Sequence, residues 1–145
     1  MKRFAVLFLL FGVLGFLTIS FSAATAQSDN AAARVPLDNY IQGHATGDGS
    51  HMRIAFQPKA NLYFIRDGKY TEWASTDYAA GFSGKPAADE AQRKRRIASV
   101  DITGTAAQAK IVLEYPGVTF TDYMSLLKID GEWKIVSKVF HAERE

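Results

Sequence analysis

The chain has 145 residues, no cysteine and a formal net charge of +2, which suits one domain and excludes disulfides, thiol nucleophiles and cysteine-ligated metals. Lys2 and Arg3 account for the excess, because the other 15 basic residues equal the 15 acidic ones. This balance gives no global attraction for nucleic acid or an anionic membrane, so the sequence predicts neither as a partner of the remaining chain.

Residues 1–26 have the pattern of a cleavable secretory signal peptide. A positively charged start precedes an almost wholly apolar run from Phe4 to Phe21, and Ala24-Thr25-Ala26 fits the small-x-small rule of signal peptidase. An uncleaved membrane anchor has a similar pattern, and the segment would then hold the protein on a membrane. We expect cleavage after Ala26 and a periplasmic or secreted location.

The segment 27–34 is small and polar, which predicts a flexible lead-in to a domain over 35–145. From Pro36 onward, apolar residues recur at spacings of three and four, so an amphipathic helix is expected up to Gly47. The apolar positions of this helix are Leu37, Tyr40, Ile41 and Ala45.

A second, short helix is predicted to begin at the capping residue Asp48 and to stop before Pro58. A third short helix is predicted near Tyr78, capped by Ser75 or Asp77.

Turn signals divide the rest of the chain into strands. Asp67-Gly68 and Asp130-Gly131 are strong two-residue hairpin turns, and Pro116-Gly117 gives a third turn. Because helices precede hairpin-linked strands, we predict an α+β fold with an antiparallel sheet.

The turns also fix which residues share a face of the sheet. In the register set by Asp130-Gly131, Asp122 lies opposite Val139 on an otherwise apolar inner face, with Ser137 and His141 diagonal to it. A carboxylate there is costly unless it is paired or its pKa is raised. Asp122 is therefore either a general acid or base whose proton His141 tunes or shares, or a hydrogen-bonded structural group.

Large aromatic residues in this chain either line a cavity or fill the core. The three histidines lack the spacing of a metal site, so no metal ligands are predicted, and no cofactor is identified. The candidate ligand-binding residues are Phe56, Trp73, Tyr78, Trp133, Ser137 and His44.

Two surface features remain. The basic run 93–96 is either a solvated strand entrance or an anion or partner patch. The outer face of the last hairpin is too apolar to be freely solvated, which predicts a homodimer packed sheet to sheet. Its predicted members are Thr121, Tyr123, Ser125, Leu127, Val136, Lys138 and Phe140.

Three stretches carry a family resemblance: YIQGHATGD at 40–48, AFQPKA at 55–60 and FTDYMSLLKIDGEWKIV at 120–136. Through them the chain resembles the nuclear transport factor 2-like superfamily, and more specifically its lumazine-binding-like branch. The resemblance implies a cone-shaped domain in which helices cover a strongly bent antiparallel sheet around a cavity. Relatives often have histidine before the proline of the second stretch, where this chain has Gln57.

The superfamily includes enzymes, ligand binders and dimerisation modules, so the resemblance indicates a fold more than a function. Our first expectation is a small-molecule-binding protein with a pocket between the helices and the sheet. The alternatives are an isomerase- or dehydratase-type enzyme that uses Asp122 as general acid or base, and an interaction module without a ligand.

Overall fold

The computed structural model describes residues 11–145, with side chains from residue 27 onward. The chain divides into two compact units, Met1–Ala31 and Ala32–Glu145. The signal peptide predicted over 1–26 lies outside the described side chains, and its first ten residues lie outside the described backbone. Of the helices described, none is both long and apolar enough to cross a membrane.

Within residues 11–145, six strands form one sheet in the order β2-β1-β6-β5-β4-β3. Pairings between consecutive strands are antiparallel, whereas β1 and β6 pair in parallel. Helices packed on this curved, unclosed sheet confirm the predicted α+β class, and the parallel pairing is an addition that hairpin signals do not reveal. The strands are β1 (Phe56–Arg66), β2 (Lys69–Ala74), β3 (Lys94–Thr103), β4 (Ala106–Tyr115), β5 (Val118–Ile129) and β6 (Glu132–Arg144).

Helix α1 (Phe11–Thr46) includes residues 27–34, where composition predicts a flexible lead-in, and it continues through Pro36, where the sequence predicts a start. It ends as predicted before Gly47, whose φ of +71° favours glycine. Helix α2 (Gly49–Ala55) then begins as predicted at Asp48, whose carboxylate accepts a hydrogen bond from the Ser50 amide at 2.8 Å.

Helix α3 (Ser75–Ala80) has no side-chain cap, so the predicted caps at Ser75 and Asp77 are wrong. Ser75 is buried, and its hydroxyl donates instead to the Gln57 carbonyl at 3.2 Å. This bond ties α3 to the start of β1. Pro58 does not follow a helix but lies in β1, within the interval where the β1–β6 register is irregular. That location suits a residue that has no amide to donate.

The predicted turns are confirmed. Both residues of Asp67-Gly68 and of Asp130-Gly131 have positive φ, as a two-residue hairpin turn of the favoured type requires. Counting outward from Pro116-Gly117 predicts Ile111 opposite Asp122, and the β4–β5 register has this pair.

The predicted β5–β6 register holds only as far as Leu126 opposite Ile135. One extra residue, Val136, then enters β6, and Ser125 pairs with Ser137. Because side chains alternate, this bulge reverses the faces of every later β6 residue.

The inner face of the sheet is largely the predicted one. Helix residues Leu37, Tyr40 and Met52 are fully buried in the same core. Val139 is the exception, because the bulge leaves it 52% exposed on the outer face. Alternation counted outward from the Pro116-Gly117 and Asp130-Gly131 turns predicts the following residues for this face, and all are buried: Ala107, Ala109, Ile111, Leu113, Met124, Leu126, Trp133 and Ile135.

Candidate functional site

Asp122 lies at the centre of the inner face with no exposed area. β5 places it between Ile111 on β4 and Phe140 on β6. Its immediate polar partners are Tyr40 and Lys138, neither of which the sequence assigns to the site. The Tyr40 hydroxyl donates to Asp122 Oδ2 at 2.6 Å, and the Lys138 ammonium donates to Oδ1 at 3.2 Å.

A third bond closes the cluster, because Lys138 Nζ also donates to the Tyr40 hydroxyl oxygen at 2.8 Å. The ion pair is almost wholly buried, with 4% of the Lys138 side chain and none of the Asp122 side chain exposed. Charges removed from water are tolerated when they are paired and hydrogen-bonded, and each member here has two partners within the cluster. We call Tyr40, Asp122 and Lys138 the buried triad.

Burial is the main influence on the pKa values of Lys138, Tyr40 and the neighbouring His44. It lowers the pKa of Lys138, although the charge and hydrogen bond of Asp122 oppose this shift. It raises the pKa of Tyr40, and the negative charge of Asp122 adds to the effect. Burial also lowers the pKa of His44 well below its usual value, and the positive charge of Lys138 acts in the same direction.

A cavity of about 470 Å³ reaches the buried triad, a volume within the usual range for small-molecule sites. We call it the Asp122 cavity. Four cationic side chains and a single carboxylate line it, so positive charge predominates. Aromatic side chains form much of the remaining wall. The charged members are Arg66, Arg93, Lys138, Arg144 and Asp122, and the aromatic members other than His44 are Tyr40, Trp73, Tyr78, Tyr115, Phe120 and Phe140.

A second cavity of about 500 Å³ lies beside α3 and the loop that follows it. It shares His44, Trp73, Tyr78 and Arg93 with the Asp122 cavity. The His44 Nε2 atom and the Tyr78 hydroxyl are 2.8 Å apart, so they form a hydrogen-bonded pair between the two spaces.

The structure brings three predicted site residues to the Asp122 cavity besides Asp122 itself, namely His44, Trp73 and Tyr78. Phe56 is buried behind the wall, with its ring 6.0 Å from that of Tyr40 and 6.2 Å from that of Tyr78. Trp133 is also buried in the core and is not among the lining residues.

The expected placement of Ser137 and His141 beside Asp122 is wrong. The Val136 bulge pairs them with the outer-face residues Ser125 and Thr121. The same shift corrects the predicted outer face, because Lys138 and Phe140 line the cavity instead. No glycine or proline in β6 signals the bulge, whereas the burial of Tyr40 follows from its position on the apolar stripe of α1.

The basic run 93–96 is not a uniform solvated patch. Arg93 lines both cavities and bonds Asp89 at 2.8 Å. Arg95 makes two bonds to Glu90, at 2.6 and 2.7 Å, and donates to the His44 carbonyl at 3.2 Å. Arg93 and Arg95 thus belong to the cavity wall near His44 or support it by hydrogen bonds.

The helices, the bent sheet and the intervening cavity define a nuclear transport factor 2-like domain. Solved structures of this class match it closely. A protein of unknown function from Shewanella baltica has a TM-score of 0.73 at 31% identity, covering 81% of this chain and 96% of its own. Another, from Methylobacillus flagellatus, has a TM-score of 0.69 at 31% identity, covering 80% and 93%.

The family assignment is more specific. Residues 28–141 match the family described as Putative lumazine-binding, and the chain belongs to that family. A curated relative is the Aldolase FrzH of Cladobotryum sp, which is 22% identical over 103 residues, or 71% of this chain and 82% of the relative. The family match and the similarity to nuclear transport factor 2-like structures confirm the resemblance found in the sequence.

Proposed function

We propose that this domain binds a small organic anion in the Asp122 cavity. The observation that carries the proposal is the excess of cationic side chains in the lining: Lys138 is paired with Asp122 and Arg93 with Asp89, which leaves Arg66 and Arg144 to face a ligand. Arg66 is held at the wall by aromatic faces, with its guanidinium carbon 4.8 Å from the Trp73 ring centre and 5.1 Å from that of Phe64. A flat ligand with a carboxylate suits aromatic walls and guanidinium forks together.

Matched compounds test the charge requirement. Thermal shift is measured with phenyllactate and with its neutral amide, which differ in charge but hardly in shape. The acid is expected to raise the melting temperature and the amide is not. Arg66→Gln should weaken the response, whereas Arg96→Gln, at an exposed residue outside the cavity lining, should not. Equal responses to both compounds across a series of such pairs would count against an anion site.

An enzyme that uses the same cavity is a second candidate. The buried triad sets a carboxylate beside two proton donors within hydrogen-bonding distance, which is the equipment of general acid–base chemistry. The name of the curated relative, an aldolase, favours a reaction that removes a proton next to a carbonyl group. Asp122 would be the base in that reaction.

Proton exchange separates binding from catalysis. Under the enzyme hypothesis, the wild-type protein exchanges the methyl protons of pyruvate with D₂O faster than buffer does, as followed by proton NMR. Asp122→Asn should abolish this acceleration while the thermal shift with phenyllactate is reduced or altered. Exchange that is the same in wild type and Asp122→Asn would exclude Asp122 as the base.

We also propose that the chain is exported to the periplasm or secreted. The support is the sequence pattern of residues 1–26. Cell fractionation followed by N-terminal sequencing tests it, with Gln27 expected as the first residue. An intact N-terminus in the cytoplasmic fraction would contradict export.

A further inference from the structure

Lys138 is placed as a reactive amine would be. Its side chain lines the Asp122 cavity from β6. Its Nζ atom lies 4.3 Å from the ring centre of Phe140 and 5.3 Å from that of Tyr78. A lysine becomes nucleophilic only as the neutral amine, and removal from water favours that form, whereas the ring faces and the Asp122 carboxylate attract the ammonium. The direction of its pKa shift agrees with this surrounding.

The two other members of the triad supply what an amine needs to condense with a carbonyl compound. The reaction needs a base that takes the proton from the ammonium, and an acid that protonates the departing oxygen. Asp122 accepts from Nζ at 3.2 Å, and the Tyr40 hydroxyl lies 2.8 Å from the same nitrogen. Both groups thus lie within direct proton-transfer distance of the nitrogen that would react.

We propose that Lys138 forms an imine with the carbonyl carbon of an oxo acid bound in the Asp122 cavity. This inference rests on the proposed function, because the ligand must enter that cavity. The carboxylate of the oxo acid would pair with the arginine side chains of the lining, and its carbonyl group would face the buried triad.

The step balances without an oxidant or reductant. The Lys138 ammonium gives one proton to Asp122, and the neutral nitrogen bonds to the carbonyl carbon. A proton then passes from nitrogen to the new alkoxide by way of the Tyr40 hydroxyl, giving a carbinolamine. Asp122 returns its proton to the carbinolamine hydroxyl, the C–O bond breaks and water leaves. The products are a protonated imine, water and the restored Asp122 carboxylate.

Reductive trapping tests the reactivity without knowledge of the natural ligand. The folded protein is treated with glyoxylate, a small anionic aldehyde, and sodium cyanoborohydride, and modified lysines are quantified by peptide mass spectrometry. Exposed Lys59, Lys69 and Lys94 give the reference rate in the same sample. Lys138 is expected to react at least about tenfold faster, a ratio equivalent to about 1.4 kcal/mol in activation free energy. Modification of Lys138 no faster than the reference lysines would overturn the proposal.

Two further arms separate this inference from the binding proposal. Phenyllactate has a carboxylate but no ketone or aldehyde, and it should protect Lys138 from glyoxylate if it occupies the cavity. The double variant Lys138→Met, Asp122→Asn removes both charges of the pair and should keep the circular dichroism of the wild type while losing the fast adduct. A thermal shift with phenyllactate together with slow Lys138 labelling would refute the imine and retain anion binding. Fast labelling that phenyllactate does not slow would overturn the placement of the reaction in the ligand cavity.

Discussion

Replacing Lys138 with methionine tests the energetics of the buried triad most directly. Methionine keeps much of the apolar stem but removes the ammonium group. Asp122 has no exposed area, and it would retain the Tyr40 hydroxyl at 2.6 Å as its donor within the triad. Breaking a buried ion pair from one side costs about 3–5 kcal/mol, because an uncompensated charge remains inside. We therefore expect Lys138→Met to lower the free energy of unfolding by about 3–5 kcal/mol at neutral pH.

Adding Asp122→Asn to Lys138→Met should restore much of that stability. The asparagine carbonyl still accepts from Tyr40, and no buried charge remains. Lys110→Met is the control, because Lys110 is only half-buried on the opposite face of the sheet, and it should cost less than about 1 kcal/mol. Urea unfolding followed by tryptophan fluorescence measures all four proteins. The reasoning is refuted if Lys138→Met costs no more than the control, or if the double variant is less stable than Lys138→Met alone.

Three further predictions concern pH, packing and assembly. The folded state holds the pKa of His44 below its unfolded value of 6.5, so the unfolded chain takes up the proton first and stability should fall as pH drops below about 6.5. In urea titrations between pH 7.5 and 5, His44→Gln should reduce this slope, and a slope identical to wild type contradicts the assignment. Gly49→Ala should lower the free energy of unfolding by about 1–3 kcal/mol, since the added carbon would clash with the Ala79 carbonyl oxygen. Gly81→Ala is the control, because a carbon added there meets only ordinary contacts. Equal melting temperatures of the two variants would contradict this prediction. Val139→Lys, at a 52% exposed outer-face position, should convert the expected homodimer to a monomer in size-exclusion chromatography with light scattering, and a wild-type protein that is already a monomer at micromolar concentration removes the dimer hypothesis.

The hairpin turns, the Asp48 helix cap and the inner face of the sheet are predictable from the sequence because they depend on local chemistry. An Asp-Gly pair favours positive φ at two successive residues, and Asp48 offers an acceptor where a helix begins, so the turns and this cap are decided within a few residues. Alternation counted outward from the turns then predicts the apolar inner face and Asp122 on it. The burial of Asp122 was thus predictable, but the identity of its partners was not.

What the sequence could not supply depends on long-range packing. The parallel β1–β6 pairing joins strands that are far apart in the chain, and no turn signal reports it. The Val136 bulge falls in a run with no glycine or proline, although such a bulge reverses every later side chain. Consequently the sequence alone places Lys138 and Phe140 on the outer face of the sheet and His141 beside the Asp122 carboxylate.

The Val136 bulge determines both the charge pairing in the Asp122 cavity and the exposed apolar outer face of the sheet. In an unbroken register, Val139 would lie opposite Asp122, and its diagonal neighbours on β6 would be Ser137 and His141 rather than a lysine. The extra residue turns Lys138 inward, and its ammonium reaches Asp122 at 3.2 Å. The same reversal places Val139 outside, next to the exposed Tyr123. A buried carboxylate without a partner is costly, and so is a buried ammonium. The register shift brings Lys138 and Asp122 together, so that each charge compensates the other. The same shift places the Lys138 amine in the cavity lining.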